Sequence, residues 1–105
     1  MSDLRRTDLN LLIEARDAVS TGRGARLRRA ALVSQTELAS AVGVTASAIS
    51  RWEGGSRLPR TDEAAAYARE LRRLERAVAT RNDERLAGQR GVVTTSAGQG
   101  RGSTG

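Results

Sequence analysis

At 105 residues the chain can hold one small domain with tails and is too short for two cores. It has no Cys and no His, which excludes a disulfide framework and a thiolate metal site and removes the commonest metal ligand and general base. The formal net charge is +6, from 18 basic residues, all Arg, against 12 acidic ones, and one Trp, one Tyr and no Phe leave the core to Leu, Ile, Val and Ala. That apolar set suits a helical bundle better than a strand-rich sandwich.

The excess charge is localised. Residues 1–21 hold three Arg against four acids, 22–60 seven against two, 61–85 six against six, and the last twenty two against none. A basic segment between balanced flanks is the footprint of a surface facing phosphate, although without a motif it would read as a solvated face. No apolar run approaches the ~20 residues needed to cross a bilayer. The start MSDLRRTDLN has no apolar stretch of the signal-peptide kind, so a cytoplasmic, nucleoid-associated location is expected.

In chain order, residues 1–7 are expected to be a flexible N-terminus and residues 8–80 the folded domain. From Asp8 to Val19, the residues Leu9, Leu12, Ile13, Arg16 and Val19 recur at helical spacing, predicting an amphipathic helix whose apolar stripe is covered first by the back of the domain, or else by a second protomer. STGRG reads as a break. GARLRRAAL then predicts a second helix, with Leu27 and Ala31 inside and Arg23, Arg26 and Arg29 facing water or phosphate. Ser34 is placed to cap a third helix, with Glu37 completing the capping box S-Q-T-E. The free N–H groups at such a helix start bind phosphate, and the Gln35 amide can add a hydrogen bond to the same backbone.

The stretch from Gln35 to Glu53 reads as two short helices with a sharp corner. Leu38, Ala39 and Val42 form one inner face, Ile49 and Trp52 another, and Gly43, Val44 and Thr45 the corner, which is a helix-turn-helix pattern. Ala39 is small where the helices cross, Gly43 supplies the left-handed backbone that ends the first, and Ile49 plugs the angle. Thr45 caps the second, so Ala46, Ser47, Ser50 and Arg51 fall on the face turned away from Ile49 and Trp52.

Gly54 and Gly55 end that helix, and SRLPR leads out with Leu58 inward and Arg57 and Arg60 outward, toward phosphate. Pro59 marks the stop, Thr61 is the expected cap of the next helix, and Asp62 and Glu63 suit its positive end. Tyr67, Leu71, Leu74 and Val78 draw an apolar stripe along a helix over 62–79, and Leu74 and Val78 are candidates for a dimer contact. Residues 81–105, with six Gly in the last twenty, are expected to be a disordered tail, by default one without a role, the alternative being that Arg90 and Arg101 add non-specific attraction to DNA.

SQTELASAVGVTASAISRWEGGSRLPR resembles the DNA-binding domain of the lambda-repressor-like, or xenobiotic-response-element (XRE), family of transcriptional regulators. Gln35, Leu38, Ala39, Gly43, Val44, Ile49, Trp52, Glu53, Gly54 and Pro59 carry the resemblance, which spans Gly22 to about Leu74. It implies an all-α, lambda-repressor-like helix-turn-helix bundle of about five helices, here with an extra N-terminal helix and a disordered Gly-rich tail. It further implies insertion of the helix from Ala46 to Glu53 into the major groove, commonly as a homodimer on a two-fold operator. An ion pair between Arg28 and Glu53 is also implied. Two positions depart from the family: Gly24 stands where a larger apolar residue is usual, so the preceding helix is expected to supply core volume, and Ala46 stands where a long polar side chain is usual.

The function expected on these grounds is that of a sequence-specific regulator binding double-stranded DNA, as a repressor. Ala46, Ser47, Ser50 and Arg51 are the expected base-reading residues, Gln35, Arg23, Arg26, Arg57 and Arg60 the phosphate-binding ones, and Ala39, Gly43, Ile49 and Trp52 the structural motif; no metal or cofactor is expected. The alternative is an antitoxin-like or phage regulatory module whose helix-turn-helix domain also binds a protein partner. Catalysis is the weakest class, since the Ser, Arg and carboxylates lie at capping and helix-surface spacings with no His or Cys to activate a nucleophile. GRG and GQGRG follow no strand and precede no helix, which excludes a nucleotide loop.

Overall fold

The computed structural model describes residues 6–95 and the surroundings of side chains from 6 to 87, and among these it contains five helices and no strand. They are α1 (Arg6–Thr21), α2 (Arg23–Ala30), α3 (Gln35–Val42), α4 (Ala46–Glu53) and α5 (Thr61–Thr95). Most of the flexible N-terminus expected at 1–7, and residues 96–105 of the expected tail with Arg101, lie outside the described residues, as does the side chain of Arg90.

α1 buries a different face from the one its larger apolar residues suggest. Leu11, Leu12, Ala15, Ala18 and Val19 are buried, whereas Leu9 and Ile13 are 43% and 58% exposed and Arg16 points to solvent. The reason is contact with α5, along which α1 packs more extensively than along any other element. Ala15 and Ala18 on α1, and Ala64, Ala65 and Ala68 on α5, are buried, and small side chains let two helix backbones approach closely. Ion pairs accompany the contact, Arg72 to Glu14 at 2.7 Å and Arg69 to Asp8 at 3.8 Å; being exposed and screened by solvent, they add little to stability.

Gly22, at φ 77, makes the corner between α1 and α2. α2 ends in a Schellman turn, with the Leu32 N–H donating to the Arg29 carbonyl at 3.0 Å and the Val33 N–H to the Arg28 carbonyl at 3.1 Å. Such a turn needs a left-handed residue, and that residue is Leu32, at φ 63, with its side chain 76% exposed.

The core gathers around Trp52 and Tyr67, whose rings lie 5.0 Å apart and tilted by 56°, with Leu11, Leu38, Ile49 and Leu71 also fully buried. Gly24 belongs to it in an unexpected way. A Cβ built there would overlap the Tyr67 hydroxyl oxygen and stand 3.1 Å from Cζ, so it is the α5 tyrosine, not α1, that fills the volume a side chain at position 24 would take.

Three local expectations on the way into α5 are corrected. Leu58 is 52% exposed while Pro59 is fully buried, because Pro59, not Leu58, meets the core. Arg60 rather than Thr61 opens the helix: its carbonyl accepts from the Ala64 N–H at 2.6 Å, and its own N–H donates to the Glu63 carboxylate at 3.2 Å. Finally, α5 does not stop near residue 79 but runs unbroken to Thr95. No Pro interrupts this stretch, NDERLA is made largely of good helix formers, and Arg81 ties it back by donating to the Ala30 carbonyl at the end of α2, at 2.7 Å.

Candidate nucleic-acid interface

The helix-turn-helix forms as its caps dictate. The Ser34 hydroxyl accepts from the Glu37 N–H at 3.0 Å while the Glu37 carboxylate accepts from the Ser34 N–H at 2.8 Å, closing the capping box. Gly43 ends α3 at φ 90, and the Thr45 hydroxyl accepts from the Ala48 N–H at 3.1 Å to start α4. Leu38 and Ala39 on α3 and Ile49 and Trp52 on α4 are all 2% exposed or less, so the two helices are locked together and onto α5.

That inner face sets the outer one. Ser47, Ser50 and Arg51 are exposed along α4, and Arg51 has no ion-pair partner among the described residues. Ala46 is only half-exposed and leans on the core, so it offers a methyl group at the margin of the face.

Behind the motif sits one nearly buried ion pair. Arg28 on α2 grips Glu53 at the end of α4 bidentately, Nε to Oε2 at 2.5 Å and Nη2 to Oε1 at 2.9 Å, with the two side chains 12% and 6% exposed. The same guanidinium donates to the Val33 carbonyl at 2.9 Å. Burial by itself would raise the Glu53 pKa, but the hydrogen bonds from Arg28 and Gln35 outweigh it and hold the carboxyl below its ordinary value. The same hydrogen bond to Glu53 raises Arg28. α2, α3 and α4 are thus joined through one carboxylate.

Gln35 is part of that network. Its Nε2 donates to Glu53 Oε1 at 2.9 Å, a contact the sequence reading misses; the available signal was a carboxylate with more acceptor sites than one guanidinium fills. The Gln35 amide N–H is therefore engaged with Glu53.

The expected phosphate-binding arginines divide into two pairs. Arg57 and Arg60 are exposed beside α4 and line an open pocket of about 360 Å³ together with Ala48, Trp52, Leu58 and Glu63. Arg23 and Arg26 are instead engaged elsewhere. Arg23 pairs with Glu75 of α5 at 3.4 Å, and Arg26 donates to the Thr21 carbonyl at the end of α1 at 3.0 Å. Their position within α2, one turn after a helix end and alongside α5, supplies these acceptors within the chain.

The stripe on α5 is partly used within the chain. Tyr67 and Leu71 are fully buried, while Leu74, half-buried, packs against the core, so the expected dimer contact through Leu74 and Val78 has lost part of its apolar surface. Among the described residues no group of acidic side chains is placed to hold a metal ion and no helix is long and apolar enough to cross a membrane.

A locked helix-turn-helix with a polar outer face, and beside it two exposed arginines that have no ion-pair partner among the described residues, defines a DNA-binding domain of the helix-turn-helix class. A family model described as Helix-turn-helix matches residues 25–76, and this part of the chain belongs to the XRE, or lambda-repressor-like, helix-turn-helix family of DNA-binding regulators. The match runs from α2 into α5, leaving α1 and the far half of α5 outside it. Neither a curated protein nor a solved structure matches the chain.

Proposed function

We propose that the protein is a sequence-specific transcriptional regulator, acting as a repressor, that reads the major groove with α4. The observation that carries the reading is the two-sidedness of that helix: Ile49 and Trp52 are fixed in the core, so Ser47, Ser50 and Arg51 are held outward on a rigid element. Arg51 is the main specificity residue, its guanidinium donating to O6 and N7 of a guanine, while Ser47 and Ser50 discriminate less and Ala46 offers contact to a thymine methyl. Arg57, Arg60 and the N–H groups opening α3 hold phosphates on either side. The protein acts in the cytoplasm, on the nucleoid, as a homodimer on a two-fold operator.

Arginine substitution separates these roles. Arg51→Ala should lower affinity for the preferred sequence and leave binding to unrelated duplex nearly unchanged, whereas Arg57→Ala should weaken both and reduce the salt slope by about one. Equal effects of the two variants on specific and unrelated DNA would exclude a base-reading role for Arg51.

A second reading, an antitoxin-like or phage module that also binds a protein, draws on the far part of α5. Residues 81–87 are all exposed, with Leu86 at 51%, and a helix continued beyond its own core is a ready handle for a partner.

A further inference from the structure

The outer ridge of α1 is a surface that the DNA-binding reading does not use. α1 turns Leu11, Leu12, Ala15, Ala18 and Val19 to the core, so at ~100° per residue the opposite face is centred on Arg6, Ile13 and Asp17. Leu9 and Ile13 lie there one turn apart, exposed by 43% and 58%. Arg6 and Asp17 are exposed on the same line and have no ion-pair partner among the described residues. The nearby acids Asp8 and Glu14 lie ~160° and ~80° around the helix from Arg6, off the ridge, and pair with Arg69 and Arg72 of α5.

The pattern along this ridge is self-complementary. Leu9 and Ile13 are centred on position 11, and Arg6 and Asp17 midway between positions 11 and 12, a difference of only ~0.8 Å along the axis. A two-fold axis through that point, perpendicular to an antiparallel pair of such helices, places Arg6 of each copy against Asp17 of the other. It lays the Leu9–Ile13 pair of one copy on that of the other. Both ends of the contact are then satisfied by one symmetry operation, as an isologous interface requires. A parallel pairing would instead set Arg6 against Arg6 and Asp17 against Asp17.

We infer that the outer face of α1 is an interface between two copies of this chain, closed antiparallel by reciprocal Arg6–Asp17 pairs around Leu9 and Ile13. One short helix pair buries less than the ~1,200 Å² of stable interfaces, so association is weak and salt-sensitive. It does not depend on DNA, and its test is made without DNA.

Sedimentation equilibrium of the full chain at low salt, from ~10 µM to ~1 mM, should show a monomer–dimer equilibrium that weakens as salt is added. Ile13→Asp should raise Kd by at least ~10-fold with an unchanged helical circular dichroism spectrum, since Ile13 is largely exposed. Arg6→Asp and Asp17→Arg should each weaken the dimer, and the two together should restore it, an outcome that a change in fold stability would not give. A chain that stays monomeric at ~1 mM, single reversals without effect, or a dimer that survives Ile13→Asp would each overturn the assignment.

Discussion

The hydroxyl of Tyr67 occupies the space in which a side chain at Gly24 would begin. With Tyr67 fully buried and in contact with Trp52, that oxygen cannot swing away without disturbing the centre of the core. Gly24→Ala should therefore cost ~1 to 3 kcal/mol in urea unfolding, the range for an overpacked core. Tyr67→Phe, which removes the overlapping oxygen, should recover part of the loss in the double variant; the remaining 3.1 Å approach to Cζ prevents full recovery. Strict additivity of the two substitutions would show that they do not meet.

The Arg28–Glu53 pair predicts the acid limb of stability. Glu53 is held below its ordinary value of 4.5 in the folded chain, so its contribution is complete above that value and is lost as pH falls through the lower, folded one. Glu53→Gln should flatten this limb and, by leaving Arg28 nearly buried without its partner, cost ~3 kcal/mol at neutral pH. Melting temperatures between pH 2 and pH 7 of both forms would check it, with parallel curves contradicting the assignment.

Tyr67 predicts the alkaline limb with the opposite sense. Burial first, and then the charge of Glu53, pushes its phenol up to about 12 from 10.0, so the unfolded chain ionises first and stability should fall as pH rises from 10.0 toward about 12. The phenolate absorbance should appear only in that range, and a midpoint near the unperturbed 10.0 would place the hydroxyl in water.

Leu32 holds a left-handed conformation that favours Gly, and its exposed side chain contributes little to the core. Leu32→Gly should stabilise the domain by ~1 kcal/mol. A measured loss of stability would mean that the leucine side chain makes a contact worth more than the strain.

Trp52 and its neighbour Arg51 should behave as opposites. Trp52→Ala removes a side chain that is 1% exposed and should cost ~3 to 5 kcal/mol, while Arg51→Ala should leave the melting temperature nearly unchanged and cost ~1 to 3 kcal/mol in binding to the preferred site. Thermal melts paired with DNA titrations of both variants decide the matter.

The helix-turn-helix was legible because its determinants are local: Ser34 with Glu37, Gly43, Thr45 with Ala48, and the spacing of Ile49 and Trp52 all act within one or two turns. The Arg28–Glu53 pair came from the family resemblance, since 25 residues of chain separate its partners. Non-local packing was harder to read. On α1, Leu9, Leu11, Leu12 and Ile13 surround the helix, and the buried face was decided by the small Ala15 and Ala18 that allow close approach to α5. Arg23 and Arg26 looked like their neighbours in sequence, but α1 and α5 supplied acceptors that no linear pattern shows. The far half of α5 was obscured by its Gly content, which lowers helix propensity without ending a helix as Pro does.

Base reading by α4 can be measured by selecting bound fragments from a random double-stranded DNA pool at near-physiological salt. The selection should yield an enriched motif with a guanine at the position that Arg51→Ala relaxes, repeated in inverted orientation about one helical turn apart. Binding with no enriched motif, and with affinity that vanishes as salt rises, would contradict base reading and leave only the attraction of a basic surface for phosphate.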